Sequence, residues 1–324
     1  MRAAVVEAVG SPPAATEADD AAPGEGTALV AVEAVPLNPV EIRVAAGRHP
    51  RRAQPPYVPG LEGAGTVVES ARLAPGTRVR FESSALPGFG ARGTLAEWAA
   101  VPEESLAELP DAVADDVAAA LGVVGVTALL ALERAAPAGG ERVLVLGATG
   151  AVGQMAVQLA KLMGAGRVVG AGRSPEQLER ARELGADEVV ELGDGDDLAG
   201  SFEQAAGGPL DIVVDPLWGE PAMAALGAIA EEGRLVNVGQ SAGADVRIPL
   251  ESVRNRQGSI HAISSGWTAL DRKVAAYRRV LEHVVAGRLV VDREVVPLDD
   301  VTSAWERQGA SPGRKIVISL GREG

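Results

Sequence analysis

The stretch ERVLVLGATGAVGQMAVQLAKLMGAGRVVGAGRS, residues 141–174, constrains this 324-residue chain more than any other. Residues 143–146 form an apolar run too short for an isolated helix, and they read as a buried strand. Gly147, Gly150 and Gly153 follow at once, spaced G-x-x-G-x-x-G. Val152, Ala156, Leu159, Ala160 and Met163 then recur at helical spacing. A second apolar run, residues 167–171, starts about twenty residues after the turn, the length of a nucleotide-binding unit. Strand, tight turn, helix and strand leave backbone N–H groups at the helix start for a diphosphate, and glycines let it approach. The expected cofactor contacts are Ala148, Thr149, Gly150, Ala151, Val152 and Gly153. A bare tight turn would use the same glycines, but the flanking strands favour a dinucleotide.

The end of the second strand indicates which dinucleotide. A site for NAD places Asp or Glu there to accept the ribose hydroxyls, and that carboxylate repels a 2′-phosphate. Here the residues are Gly172, Arg173 and Ser174. Arg173 can fork onto a phosphate, and Ser174 can add a hydroxyl. Ser174, followed by Pro175 and Gln177, is also a good N-cap for the helix PEQLERARELG. The two roles share one helix end, and NADPH is expected over NADH.

Composition narrows the partners. A formal charge of −14 opposes a nucleic-acid partner, whose phosphates would be repelled. The absence of cysteine removes disulfides, thiolate nucleophiles and thiolate metal sites together. The opening MRAAVVEAVG lacks the apolar core of a signal peptide, and no run approaches the eighteen or so apolar residues of a membrane span. A soluble cytoplasmic protein acting on a small-molecule substrate is expected, with no membrane partner.

Residues 1 to about 115 consist of short β-rich pieces, AAVVEA, ALVAVEAV, GAGTVVES and TRVRFES, separated by Pro and Gly clusters. GTLAEWAAVPEESLAELPD reads as a strand hairpin leading to Pro110, and a helix carrying GVVGVTALLAL starts near Asp115. Beyond Ser174 come a helix through Leu184, the strand EVVEL, and an acidic segment from Gly193 to Gly200 read as a solvated loop or helix start. DIVVDP, a helix from about Glu220 to Ala230, and the strands GRLVNVG and SIHAISS follow. Six strands interleaved with helices predict an α/β fold with a doubly wound parallel six-stranded sheet. Val238, Gly239 and Gln240 at the end of the fifth strand, and Ser264 and Ser265 at the end of the sixth, lie on the edge where such sheets bind ligands. The tail adds an amphipathic helix over residues 270–286, strand-like LVVDREVVPL, a short helix over 301–308 and the strand RKIVISL.

NPVEIR with AAGR, VPGLEGAGTVVE, GTRV, GVTALLAL, GATGAVG, DPLWGEP, GRLVNVG and GRKIVI cover nearly the whole chain. In these motifs it resembles the medium-chain dehydrogenase/reductase superfamily, in its zinc-independent quinone oxidoreductase-like branch. The resemblance implies a β-rich, GroES-like catalytic domain split into residues 1–116 and 266–324 around an inserted Rossmann domain, residues 117–265. It implies a cleft between them where nicotinamide meets substrate. It also implies a homodimer through the edge strand from Ser259 to Ser264.

Zinc-dependent relatives carry a Cys where this chain has Asn38 and a His where it has Leu61, and neither replacement is an equivalent ligand. With His49, His261 and His283 scattered, no metal is expected. Without a Lewis acid nothing holds the alkoxide of an unactivated alcohol. Hydride transfer from NADPH to a quinone or an α,β-unsaturated carbonyl needs only positioning and a hydrogen-bond donor. The alternatives are a pathway-specific enoyl or ketone reductase, and a protein that binds NADPH without turnover.

Single residues carry paired readings. Thr127 contacts the cofactor or bonds back to its own helix. Asn38 orients a carbonyl or the nicotinamide, or is a turn residue before Pro39. Glu41 and Glu62 match family carboxylates and read as structural. His49 and Tyr57 are the candidate proton donors, against a solvated loop histidine and a packed ring. Arg314 or Lys315 reaches the adenosine phosphate or is merely exposed. Trp218 and Trp267 touch substrate or cofactor, or pack in the core.

Overall fold

Burial alternates along Thr27–Pro36, the period of two that makes one face of a strand apolar. The computed structural model describes residues 1–321 apart from 51, 84, 91 and 194–196, and it divides the chain into two compact units. One is residues 1–123 with the segment from Thr268 onward, and the other is Val124–Trp267.

In the first unit β1 (Arg2–Val5) pairs with β2 (Ala14–Glu17), and β3 (Thr27–Pro36) leads to helix α1 (Pro39–Ala45). Then come β4 (Glu62–Glu69), β5 (Arg78–Glu82), β6 (Trp98–Pro102) and β7 (Ala107–Glu108). The expected hairpin over residues 93–111 does not form. β6 pairs with β3, and β7 pairs with β5. A 3-10 turn at Glu103–Ser105 redirects the chain, fastened where Ser105 Oγ donates to the Pro102 carbonyl at 2.7 Å. Helix α1 was not anticipated, although Asn38, Pro39 and Glu41 are a cap, a first-turn proline and a third-position acid. Glu41 Oε2 accepts the Asn38 backbone N–H at 3.2 Å.

Helix α2 (Asp115–Ala135) runs from the first unit into the second. By length and hydropathy it could cross a membrane, which the sequence was not expected to offer, and 78% of its apolar window is buried within the fold. The second unit alternates β8 (Arg142–Leu146), α3 (Ala151–Leu162), β9 (Arg167–Gly172), α4 (Pro175–Glu183), β10 (Glu188–Glu191) and α5 (Leu198–Ala206). It continues with β11 (Leu210–Asp215), α6 (Gly219–Gly227), β12 (Ile229–Asn237), α7 (Leu250–Arg254) and β13 (Ser259–Ala262). The six strands are parallel, in the order β10-β9-β8-β11-β12-β13. This is the doubly wound order, reversing direction between β8 and β11.

Two boundaries differ from expectation. Helix α6 ends before Ala230, because β12 already starts at Ile229 and pairs with Leu210 across a bulge. Strand β13 stops at Ala262, so Ser264 and Ser265 lie beyond it, where the Trp267 N–H closes a 3-10 turn onto the Ser264 carbonyl at 3.1 Å. Part of the acidic segment, residues 194–196, lies outside the described residues, and Asp197 then caps α5.

The first unit closes with α8 (Leu270–Val285), β14 (Arg293–Pro297), α9 (Val301–Gly309) and β15 (Lys315–Ser319). β15 pairs with β3, which brings the last strand beside the Asn38 cap. Val30, Phe81, Leu95, Ile316 and Ile318 lie in this unit's core, and Leu144, Leu146, Phe202, Val213 and Leu235 lie in the other's. Each such side chain contributes about 1.5–3 kcal/mol by leaving water.

Candidate active site

In the second unit the polar features gather where β8, β9, β11 and β12 end. Gly147 has φ +60°, a conformation a side chain resists, and the Ala148 N–H donates to Ala171 at 2.9 Å. Gly150 is the N-cap of α3 and supplies no side-chain bond, so the first N–H groups of the helix are uncapped by side chains. A Cβ on Gly153 would sit 2.1 Å from the Gly147 carbonyl oxygen, and one on Gly172 would sit 2.5 Å from Thr149 Cγ2. Those two glycines seat the helix on the turn and Thr149 on the end of β9. Ala148 and Gly153 are buried, while Thr149, Gly150, Ala151 and Val152 are half-buried. Arg173 is exposed directly after β9, and Ser174 Oγ accepts the Gln177 N–H at 3.4 Å as the cap of α4. A helix start without a side-chain cap, a glycine turn and an exposed arginine directly after β9 suit a dinucleotide.

Asp215 and Asn237, which the sequence reading passed over, brace this edge. Asp215 Oδ1 accepts the N–H groups of Leu217 and Trp218, each at 2.8 Å, and Oδ2 accepts Asn237 Nδ2 at 2.7 Å. Burial raises the Asp215 pKa, while Asn237 and the two backbone donors work in the opposite direction. The turn so held keeps Trp218 at φ +57° and sets Leu217 and Pro216 close to Gly147, where a Cβ would meet them at 3.0 and 3.2 Å. An Asp-Pro pair closing a strand is the local signal that could have found it. Val238 and Gly239 are half-buried there and Gln240 is exposed, while Ser264 is exposed and Ser265 half-buried past β13. Thr127 is buried on α2, Trp218 is half-buried, and Trp267 is 92% exposed rather than packed.

The first unit holds a different polar centre, a buried cluster of charges. Lys315 Nζ donates to Asn38 Oδ1 at 2.6 Å. Asn38 Nδ2 donates to Glu41 Oε2 at 3.2 Å and to Glu62 Oε1 at 3.3 Å. Arg80 Nη2 lies 2.7 Å from both Glu62 Oε2 and Glu82 Oε1, and Lys273 pairs with Glu82. Glu62 Oε2 also accepts the Val123 N–H of α2 at 2.8 Å, and Gly122 leaves room for it, since a Cβ there would lie 1.8 Å from that oxygen. Tyr277 places its ring 5.1 Å from the Arg80 guanidinium. Asn38, Glu41, Glu62, Arg80, Glu82 and Lys315 are all buried.

Burial sets the direction of titration for Glu41 and Lys315, and neighbouring charges set it for Arg80 and Glu82. Burial pushes the Glu41 carboxyl up to about 7, against the Gly60 N–H, Asn38 and Lys315, which favour its ionised form. Burial likewise pulls Lys315 down, against Glu62 and Glu41. For Arg80, Glu82 and Glu62 outweigh burial and keep the guanidinium charged. For Glu82, Arg80 and Lys273 outweigh burial, and its carboxyl falls below the usual range.

The candidate catalytic residues therefore separate. Asn38 is 2% exposed, and its amide is engaged by Lys315 and the two carboxylates. The structure also corrects the reading of Lys315 as an exposed or cofactor-reaching residue: it is buried beside Asn38. Tyr57 is half-buried, and its hydroxyl is a buried group with no hydrogen-bond partner among the described residues. Burial and the nearby Glu41 push its pKa to about 12, so it stays a neutral donor. His49 is half-buried, with its ring centroid 5.2 Å from that of Phe89. Zinc does not suit this donor set: an ammonium holds Asn38 Oδ1, Leu61 has no donor, and Arg80 and Val123 hold Glu62 Oε2. Among the described residues no group of three or more His, Asp or Glu could hold a metal ion.

Comparison with known proteins finds two family matches: the alcohol dehydrogenase GroES-like domain over residues 24–111, and the zinc-binding dehydrogenase family over residues 151–282. Quinone oxidoreductase-like protein 2 of Bos taurus is 30% identical over 299 residues, covering 88% of this chain and 82% of its own. The solved quinone oxidoreductase from Thermus thermophilus, studied also in complex with NADPH, superposes with a TM-score of 0.80 at 32% identity over 99% of this chain and all of its own. A solved NAD-dependent alcohol dehydrogenase superposes with a TM-score of 0.89 at 28% identity over 99% of this chain and all of its own.

Proposed function

This chain belongs to the medium-chain dehydrogenase/reductase superfamily, in its quinone oxidoreductase-like branch, and is an oxidoreductase; we propose that it reduces quinones or α,β-unsaturated carbonyls with NADPH and without a metal. The observation that carries the reading is the glycine turn together with Gly172-Arg173-Ser174, in which an exposed arginine follows β9 where the sequence of an NAD site places Asp or Glu.

In this reading Val124–Trp267 is the dinucleotide domain and the other unit the catalytic one. Bound NADPH supplies the hydride. The first N–H groups of α3 hold its diphosphate, Thr149 and the turn held by Asp215 flank it, and Val238, Gly239, Gln240, Ser264, Ser265 and Thr127 are further contacts. Arg173 forks onto the 2′-phosphate, with Ser174 adding its hydroxyl. Tyr57 donates to the acceptor oxygen where charge develops, and its neutral hydroxyl, without a partner among the described residues, supports it over His49 as the donor. No step passes through a metal, in keeping with the engaged Asn38 and Glu62. A chain without cysteine needs no oxidising compartment, which supports a cytoplasmic site of action. Strand β13 ends the sheet with one edge unpaired, and its pairing with a second copy gives a homodimer.

Purified protein is expected to oxidise NADPH in the presence of a panel of quinones and enones, and NADH far more slowly. Tight NADPH binding with no oxidation by any acceptor would overturn the catalytic reading. Light scattering is expected to give about twice the 33.0 kDa of one chain, and a monomer mass removes the dimer.

A further inference from the structure

We propose, resting on the reading of Val124–Trp267 as the dinucleotide domain, that Asp215 and Asn237 are positioning residues for the coenzyme. As one bonded pair they join the turn after β11 to the end of β12, so that a single rigid edge meets both halves of the dinucleotide. The sheet order runs β9-β8-β11-β12. With the 2′-phosphate at the end of β9 and the diphosphate at the end of β8, the nicotinamide half falls over β11 and β12. Asp215 and Asn237 are the last paired residues of those two strands and face each other across them. Asp215 is fully buried, and its carboxylate is divided between two tasks. Oδ1 takes the N–H groups of Leu217 and Trp218, which fixes the turn, and Oδ2 takes Asn237 Nδ2. The same amide nitrogen of Asn237 donates to the Gly239 carbonyl at 2.7 Å, and the Val238 N–H donates to the Asp215 carbonyl at 2.8 Å.

The backbone shows why a brace is needed. Trp218 has φ +57° and ψ −157°, a region that glycine enters freely and tryptophan does not. Unheld, the turn would relax out of it, and Leu217 and Pro216 would move away from Gly147, where a Cβ would meet them at 3.0 and 3.2 Å. The bonds from Asp215 hold the strained residue by its N–H. From the other side, the loop after β12 laces onto the same turn. The Ala242 N–H donates to the Leu217 carbonyl at 2.8 Å, and Ser241 Oγ donates to the Pro216 carbonyl at 3.3 Å. Gly239 permits that approach, since a Cβ there would lie 2.6 Å from the Pro216 carbonyl oxygen. Strain kept at a ligand edge is preorganisation: the turn has its binding shape before the coenzyme arrives.

The test measures binding to the full-length protein by calorimetry, with NADPH and with adenosine 2′,5′-bisphosphate, which lacks the nicotinamide half. Asp215→Asn keeps the shape of the side chain but turns an amide N–H onto Asn237 Nδ2, so the pair can form only if Asn237 turns over and releases Gly239. This variant is expected to bind NADPH about tenfold more weakly, and the bisphosphate within about twofold of the unaltered protein. Asn237→Ala leaves the bonds from Asp215 to the turn in place, and it serves where Asp215→Asn does not fold. It should weaken NADPH about fivefold and again spare the bisphosphate. Adding Trp218→Gly to Asp215→Asn lets the turn keep its conformation without strain, and should recover most of the lost NADPH affinity. A residue that merely stabilised the fold would move both ligands together. NADPH binding unchanged in both single variants, equal losses for the two ligands, or a double variant no tighter than Asp215→Asn would overturn the brace and leave the coenzyme reading intact. An unaltered protein that binds neither ligand would overturn that reading, and the brace with it.

Discussion

The glycine turn of the second unit and the charge cluster of the first are both polar sites, built in opposite ways. The turn draws on residues within one βαβ stretch, and its specificity comes from missing side chains, since a Cβ at Gly153 or Gly172 would collide with the turn itself. The cluster draws on β3, α1, β4, β5, α2, α8 and β15, and its order comes from side chains that neutralise each other. The turn leaves donors open for a ligand, whereas the cluster spends its charges on one another, with Arg80 Nε and Nη1 left without a partner among the described residues. A site meant to bind is left unfinished, and a site meant to hold shape is closed.

Substitutions can break this contrast, beginning with the largest effect. Gly122→Ala drives a methyl group into Glu62 Oε2 and should cost about 4 kcal/mol or more, read by urea unfolding. An effect below about 1 kcal/mol would mean that Glu62 does not need its place beside α2. Arg80→Met leaves Glu62 and Glu82 buried without their shared cation and should cost about 3–5 kcal/mol, with NADPH affinity of the surviving folded protein unchanged.

Tyr57→Phe removes a hydroxyl that no group among the described residues uses, so stability should move by less than about 0.5 kcal/mol. Steady-state kcat should nevertheless drop by about a hundredfold, and an unchanged kcat would remove Tyr57 from the chemistry. In the other unit, Arg173→Ala should raise KM for NADPH about tenfold while leaving KM for NADH in place. Equal changes for both coenzymes would deny the arginine its 2′-phosphate. The smallest effect is expected at Gly150→Ala, whose Cβ meets nothing nearer than 3.5 Å and whose backbone is already extended, at about 1 kcal/mol or less.

The same contrast explains what could be seen in the sequence. Gly147, Gly150, Gly153 and Arg173 announce themselves because spacing along one stretch is all the turn requires. The six parallel strands were legible for a similar reason, each being a short apolar run between helical segments. The cluster was hidden because Lys315 finds Asn38 across 277 positions and Lys273 finds Glu82 across 191, so no local window holds a pair. A lysine flanking a terminal strand looks exposed until β15 is known to lie against β3. Arg80 gave no warning, since an arginine alternating with Val79 and Phe81 reads as the wet face of a strand. Asn38 had a local signal that went unused: the cap, proline and acid that open α1 mark a helix start.

The placement of Lys315 on the last strand bears on the order in which the chain can be completed. A growing chain exposes Glu41, Glu62 and Glu82 early, with Arg80 between them, yet Lys273 and Lys315 follow only after the whole of the second unit. The nucleotide sheet is continuous in sequence and can form while the ribosome is still working. The first unit must wait for its closing ammonium, and pairings that span most of the chain assemble slowly. The strand that carries Lys315 therefore acts as a latch on the first unit, which is complete only when this ammonium reaches Asn38.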